Sequence, residues 1–136
     1  MDCIFCATVR GELPSTKVYE DADVQAILDI HPINKGHVLV MPKAHYKDLL
    51  DCPPELLEKV ILAVQKVGGA VMKGLGVNGF NLGVNNGTVA GQLILHLHFH
   101  VTPRTVDDRL QPWPGKKYAE GEMEEYGGKI RQAMNQ

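Results

Sequence analysis

Two spacings organise the apolar residues of this 136-residue chain. Over residues 53–76, "PPELLEKVILAVQKVGGAVMKGLG", the residues Leu56, Leu57, Val60, Ile61, Val64, Val67 and Val71 recur at helical intervals. Pro53 and Pro54 suit a first turn, where a missing N–H costs nothing. Lys73-Gly74 reads as a cationic last turn followed by a stop. Gly68-Gly69 inside the helix costs roughly 1 kcal/mol per glycine relative to Ala; close packing against a sheet would offset it. The other apolar runs are short and β-rich. "KVYED" and "VQAILDI" flank an acidic turn at 20–23. "HVLVMP" is continuously apolar and closed by Pro42, as a buried strand is. "GFNLGVN" and "LILHLHFHVT" read as two further strands joined by the Gly-rich turn "NNGTVAG". Residues 107–121 are polar and rich in Pro and Gly, and a last amphipathic helix is expected from about 123 to 134. The pattern predicts an α+β domain: an antiparallel sheet with the main helix packed on one face and a shorter C-terminal helix.

Composition narrows the class. The length suits a single domain, 1–136, able to bury on the order of two thirds of its unfolded surface. A hydrophobic fraction of 44% and a charged fraction of 22% are those of a globular chain. A formal charge of -2 leaves no electrostatic footprint for nucleic acid or an anionic membrane. No apolar run is long enough to span a bilayer. "MDCIFC" lacks the basic start and long apolar stretch of a signal peptide, so the expected location is cytoplasmic. A structural disulfide is therefore not expected for the three cysteines.

The candidate chemistry lies in "HLHFH", residues 96–100, which holds three of the six histidines. On a strand, alternate side chains share a face, so His96, His98 and His100 line up roughly 6.5 to 7 Å apart, with Leu97 and Phe99 turned into the core. Three readings fit. The row is an exposed polar face, or a zinc site with an open fourth position, or a set of imidazoles for nucleophilic attack on phosphorus. The preceding "NNGTVAGQ" favours phosphorus, because a Gly-rich turn lets backbone N–H groups converge on an anion. Asn85 and Gln92 offer amide donors there, and Arg104 follows the strand.

"GQLILHLHFHVTPR" resembles the signature of the histidine triad hydrolases and transferases. The resemblance extends to "CIFCATVRGELPSTKVYEDADVQAILDIHPINKGHVLVMPKAHY" and to "GFNLGVNNGTVAGQ", and so covers most of residues 2–104, leaving 105–136 as a tail without a firm counterpart. It implies that His98 is the nucleophile toward the α-phosphate of a nucleotide, through a nucleotidyl-histidine that water then hydrolyses. It implies a phosphate contact for His100 and a supporting role for His37. Asn85 and Gln92 match polar residues near the phosphate, and Asp29 matches the position that binds ribose hydroxyls. Ile4, Phe5, Ile27 and Ile30 fall where the family builds its base pocket. Two positions depart. Leu93 stands where close relatives carry Ser or Thr, which puts leaving-group preference in question, and His31 stands where a small polar residue is common.

Cys3-Ile4-Phe5-Cys6 is a C-x-x-C, which in an intracellular chain reads as a metal pair or a redox pair. Its Ile-Phe spacer suits a thioredoxin-type redox pair poorly. Zinc requires two more ligands. A branch of the resembled family, and the related galactose-1-phosphate uridylyltransferases, complete such a pair with histidines matching His45 and His96. The resemblance thus implies a structural zinc on Cys3, Cys6, His45 and His96. Cys52 has no visible partner. The expected activity is hydrolysis or transfer of nucleoside monophosphate groups from nucleoside phosphoramidates, nucleotidyl conjugates or dinucleoside polyphosphates, with purine preferred and a homodimer as the assembly. Trp113 is assigned to that interface, to the neighbourhood of the partner's pocket, or equally to plain surface cover. Two rivals remain at this level: a zinc-hydroxide hydrolase with the triad as metal ligands, and a nucleotide-binding regulator with negligible turnover.

Overall fold

Asp21 shows how the sheet begins. Its Oδ1 accepts the backbone N–H groups of Asp23 and Val24, both at 2.8 Å, and so reverses the chain between β1 (Lys17–Glu20) and β2 (Val24–Leu28). In the computed structural model, which describes residues 3–111 and 113–134, these strands join β3 (Val38–Pro42), β4 (Gly79–Gly83) and β5 (Phe99–Arg104). The sheet has five strands in the order β1-β2-β3-β5-β4, antiparallel throughout. The limits of the expected domain at 1 and 136, and residue 2, lie outside the described residues. Among the described residues three α-helices accompany the sheet, α1 (Ile4–Val9), α2 (Pro54–Leu75) and α3 (Glu122–Met134), with a 3-10 turn at Thr88–Ala90. The architecture is the α+β one expected. No helix among the described residues is long and apolar enough to cross a membrane.

The two faces of the sheet have different tasks. Val24, Ala26, Val38, Val40, Phe99 and Val101 point to one side, where they pack with Val60, Ala63, Val64, Val67 and Val71 of α2 in the main core. Ile27, Leu39 and Met41 point to the other, with Phe5 of α1. The period of two along each strand makes this division, and it places His100, paired with Leu39, on the second face. Chemistry therefore sits on the side opposite the long helix.

α2 ends later than Lys73-Gly74 suggests. The helix runs through Gly74, and Gly76, at φ +67°, closes it by donating its N–H to the carbonyl of Met72. A left-handed cap is what glycine adopts without a Cβ penalty. Of the glycine pair, only Gly68 makes the close approach: a Cβ there would lie 2.5 Å from the Phe80 ring, whereas one on Gly69 would meet nothing within 4 Å. Gly68→Ala is accordingly expected to destabilise the domain by about 1–2 kcal/mol, overpacking outweighing helix propensity. Gly69→Ala is expected to stabilise it by up to ~1 kcal/mol. Urea midpoints moving in opposite directions would verify the pair.

Two elements differ from the sequence reading. The strand expected over "LILHLHFHVT" is regular only from Phe99. Before it, the N–H of Leu97 donates to the carbonyl of Tyr46 at 2.7 Å instead of joining a strand ladder. His96 and His98 thus precede the strand, although Leu97 still enters the main core. The second difference is α1, six residues long, with Cys3 at its N-cap: the Cys3 Sγ accepts the N–H of Cys6 at 3.4 Å. α3 begins one residue before the expected start and buries none of its side chains.

Candidate active site and metal-ligand cluster

His98 is 8% exposed, edge-on to the ring of Phe5 at 5.0 Å between centroids. Its Nδ1 lies 2.7 Å from the backbone carbonyl of His96. A carbonyl only accepts, so Nδ1 carries the proton and Nε2 keeps its lone pair. Burial lowers the His98 pKa, outweighing the carbonyl and Asp29, which act the other way. The ring is a neutral imidazole with its free nitrogen at the cleft that His98 lines.

A second chain of hydrogen bonds sets His100. Register places Asp29 opposite His37, and the Asp29 N–H donates to the His37 carbonyl at 2.9 Å. The N–H of Ile33 donates to His37 Nδ1 at 3.2 Å. His37 therefore holds its proton on Nε2, which is 3.0 Å from His100 Nδ1. His100 in turn carries its proton on Nε2. Burial, with the neighbouring His98 and His37, pushes the His100 pKa down to about 4, and burial lowers that of His37. Asp29 Oδ2 stands 3.8 Å from His37 Nε2, while Asp29 Oδ1 accepts the His31 N–H at 2.9 Å. The arrangement offers a lone pair on His98 beside a donor on His100, their rings 4.9 Å apart.

Both rings open into a cleft of about 530 Å³. Ile4, Phe5, Ile27, Asp29 and Ile30, the positions the resemblance assigns to base and ribose, line it, and Leu93 lines it too, 92% exposed. His31 and the loop residues Leu13, Pro14 and Ser15 line it too. No sequence signal singled out those three, because a loop wall acquires its place only through the fold. His37 lies behind His100, buried at 1% exposure.

The two amides of the Gly-rich loop bond to the backbone around it. Gln92 is 1% exposed; its Oε1 accepts the Gly87 N–H at 2.9 Å, and its Nε2 donates to the carbonyls of Lys47 (2.6 Å) and Ile94 (3.1 Å). Both its N–H groups and one acceptor site of Oε1 thus bond to the backbone around the loop. Asn85 donates to the Gly91 carbonyl at 3.4 Å and does not line the cleft. Arg104 pairs with Asp108 rather than with the loop.

Cys3, Cys6, His45 and His96 converge. Their ligand atoms all lie within 4.8 Å of one another. Cys3 Sγ and Cys6 Sγ are 3.4 and 3.6 Å from His96 Nδ1, and Cys6 Sγ is 3.4 Å from His45 Nδ1. Zinc bonds of about 2.3 Å to sulfur and about 2.0 Å to nitrogen imply tetrahedral S···N edges of about 3.5 Å. The donor set fits. His96 Nε2 lies 2.8 Å from the Pro42 carbonyl, which fixes its proton there and leaves Nδ1 free toward the sulfurs. Both His96 nitrogens thus face away from His98 and His100.

The sequence profile of the family described as HIT domain matches residues 10–107. Adenylylsulfatase HINT3 of Arabidopsis thaliana is 44% identical over 109 residues, which are 80% of this chain and 55% of that relative, so the chain spans about half of its length. Adenosine 5'-monophosphoramidase hnt1 of Schizosaccharomyces pombe is 35% identical over 132 residues, 96% of each chain. A solved Zn-bound histidine triad family protein from Mycobacterium smegmatis superimposes with a TM-score of 0.78 at 36% identity, covering 98% of each chain. With the profile spanning most of the chain and the fold shared along almost its whole length, this chain belongs to the histidine triad, or HIT domain, family.

Proposed function

We propose that the protein hydrolyses or transfers nucleoside monophosphate groups, with His98 as nucleophile. The observation that carries this is the 2.7 Å bond from His98 Nδ1 to the His96 carbonyl, which leaves Nε2 to attack. Purine packs among Ile4, Phe5, Ile27 and Ile30, and Asp29 takes ribose hydroxyls. The Nε2 lone pair of His98 forms a bond to the α-phosphorus as the bond to the leaving group breaks. The imidazole becomes cationic, and the His96 carbonyl stabilises that charge through Nδ1–H. His100 donates from Nε2 to the transferring group, held in that tautomer by His37. Water then displaces His98, releasing the nucleoside monophosphate. Nucleoside phosphoramidates, nucleotidyl conjugates and dinucleoside polyphosphates all present the required α-phosphate. The reaction class agrees with the activities for which the Arabidopsis adenylylsulfatase and the fission-yeast adenosine 5'-monophosphoramidase are named.

Cys3, Cys6, His45 and His96 hold one zinc ion in this reading, a fit supported by the donor distances and by the zinc-bound relative. The ion would supply a four-ligand cross-link and no open coordination position. The assembly is a homodimer: β4 is an open sheet edge, and α3 carries Met123, Tyr126, Ile130 and Met134 along one exposed stripe. Trp113, 94% exposed, is available to the same interface.

Stereochemistry at phosphorus tests the mechanism. Two in-line displacements retain configuration, and one inverts it. With a P-chiral adenosine phosphorothioate carrying an amine leaving group in ¹⁸O-water, the product is expected to retain configuration. Inversion would mean direct attack by water or hydroxide.

A further inference from the structure

We propose that Asp108, acting through Asn34, is a positioning residue that holds the His37–His100 pair in the tautomer with the donor at the cleft. Asp108 lies one residue beyond the stretch matched by the family profile, in the tail that the sequence left without a role. Its side chain is 7% exposed and collects five donors. Arg104 binds it from Nε at 2.7 Å and from Nη2 at 3.0 Å, and the N–H groups of Thr105 and Leu110 reach it at 2.9 and 3.1 Å. Arg104 also donates to Asn81 Oδ1, so the carboxylate is tied to the end of β5 and, through Arg104, to the middle of β4. The fifth donor is Asn34 Nδ2, at 3.1 Å, which also reaches the Pro103 carbonyl at 2.8 Å.

Asn34 ties the turn before His37 to the end of β5, while Asp29 holds its start through the His31 N–H. Residues 30–33 and 35 are exposed, and Asn34 alone among 30–35 is half-buried. Its carbonyl accepts the His37 N–H at 3.1 Å, and the adjacent Ile33 supplies the 3.2 Å bond to His37 Nδ1. That bond is already near the long end of the N–H range. A small shift of the turn removes it. Without it, the proton on His37 is free to move to Nδ1. His37 Nε2 then accepts, His100 Nδ1 must donate, and His100 Nε2 becomes a lone pair. The donor at the cleft is lost although neither histidine has moved. Asp108 and Asn34 thus decide the polarity of the relay without touching substrate.

The proposal rests on reading His100 as the donor to the transferring group, but the tautomer can be read without turnover. Asn34→Ala and, separately, Asp108→Asn are compared with wild type by ¹⁵N side-chain NMR of the histidines and by steady-state kinetics with adenosine phosphoramidate. Asn34→Ala leaves the Arg104–Asp108 pair intact, and Asp108→Asn keeps the side-chain shape, so one of the two remains informative if the other misfolds. In the wild type, His100 is expected to be protonated on Nε2. In the variants a second population protonated on Nδ1 appears, the His98 signals are unchanged, and kcat falls on the order of tenfold with KM within about twofold, less than the outright loss of a proton donor. Wild-type tautomers in a folded Asn34→Ala chain would overturn the proposal, as would a fall in kcat without a tautomer change. A tautomer change in a protein whose wild type shows no turnover would uphold the relay and overturn the catalytic reading instead.

Discussion

A His98→Ala chain is expected to release AMP from adenosine phosphoramidate about 10⁵-fold more slowly than wild type, the scale seen when a nucleophile acting with its partners is deleted. The effect is chemical rather than structural. His98 contributes one hydrogen bond, to the His96 carbonyl, and ring contacts to Phe5 and His100. Losing them costs about 1–3 kcal/mol of stability, from an unpaired carbonyl and a small void, which a folded domain of this size tolerates. Catalysis has no such reserve. His100 cannot substitute, because its Nδ1 accepts from His37 and its Nε2 carries the proton. The control is a melting curve close to that of wild type. A His98→Ala chain retaining a tenth of wild-type turnover would remove the residue from the centre of the mechanism.

The largest effect on stability is expected at the other end of the "HLHFH" run. Chelation, or Cys6→Ser, removes the proposed zinc and with it the link between α1, the segment at His45 and the segment leading into β5. Structural zinc sites contribute folding free energy directly. Here a packed sheet remains without the ion, so the expected loss is smaller than in a zinc finger, about 3 kcal/mol or more. That is a fall in Tm of roughly 10 °C or more for a domain of this length. Turnover is expected to fall as well, since the His96 carbonyl that bonds to His98 Nδ1 belongs to a proposed metal ligand. Cys52 provides the comparison: it is buried beside Pro53 and away from the cluster, so Cys52→Ser leaves metal content unchanged. One zinc per chain in wild type, none in Cys6→Ser and a lowered Tm is the expected set. A metal-free wild type with an unchanged melting curve after chelation would contradict it.

The sheet was legible because its strands follow simple rules. β2 and β3 are short apolar runs with clear ends, and α2 carries an uninterrupted helical pattern closed by a glycine. Legibility faded where side chains took over backbone partners. Residues 93–98 look like a strand, yet His96 reaches the Pro42 carbonyl of β3 with its side chain and the Leu97 N–H bonds to Tyr46, beyond the end of β3, and no periodicity reveals such an exchange. α1 escaped because six residues are too few for a period to show. For the site, the alternation of His98 and His100 and the Cys3–Cys6 pair stood out by spacing alone. The tautomers did not, since they depend on the Ile33 N–H and two carbonyls, and every residue has such groups. Gln92 is ambiguous in sequence for a related reason: an amide beside a Gly-rich turn suits either a ligand or the turn itself, and only the fold shows the backbone bonds it makes.

The most direct test of the account is a mass spectrum of the intact protein mixed with adenosine phosphoramidate and quenched without acid, because an N-phosphorylated imidazole is acid-labile. The account predicts a wild-type adduct of one adenosine monophosphate, localised to His98 and absent from His98→Ala. AMP accumulating with no adduct at any mixing time, or an adduct that persists in His98→Ala, would contradict it.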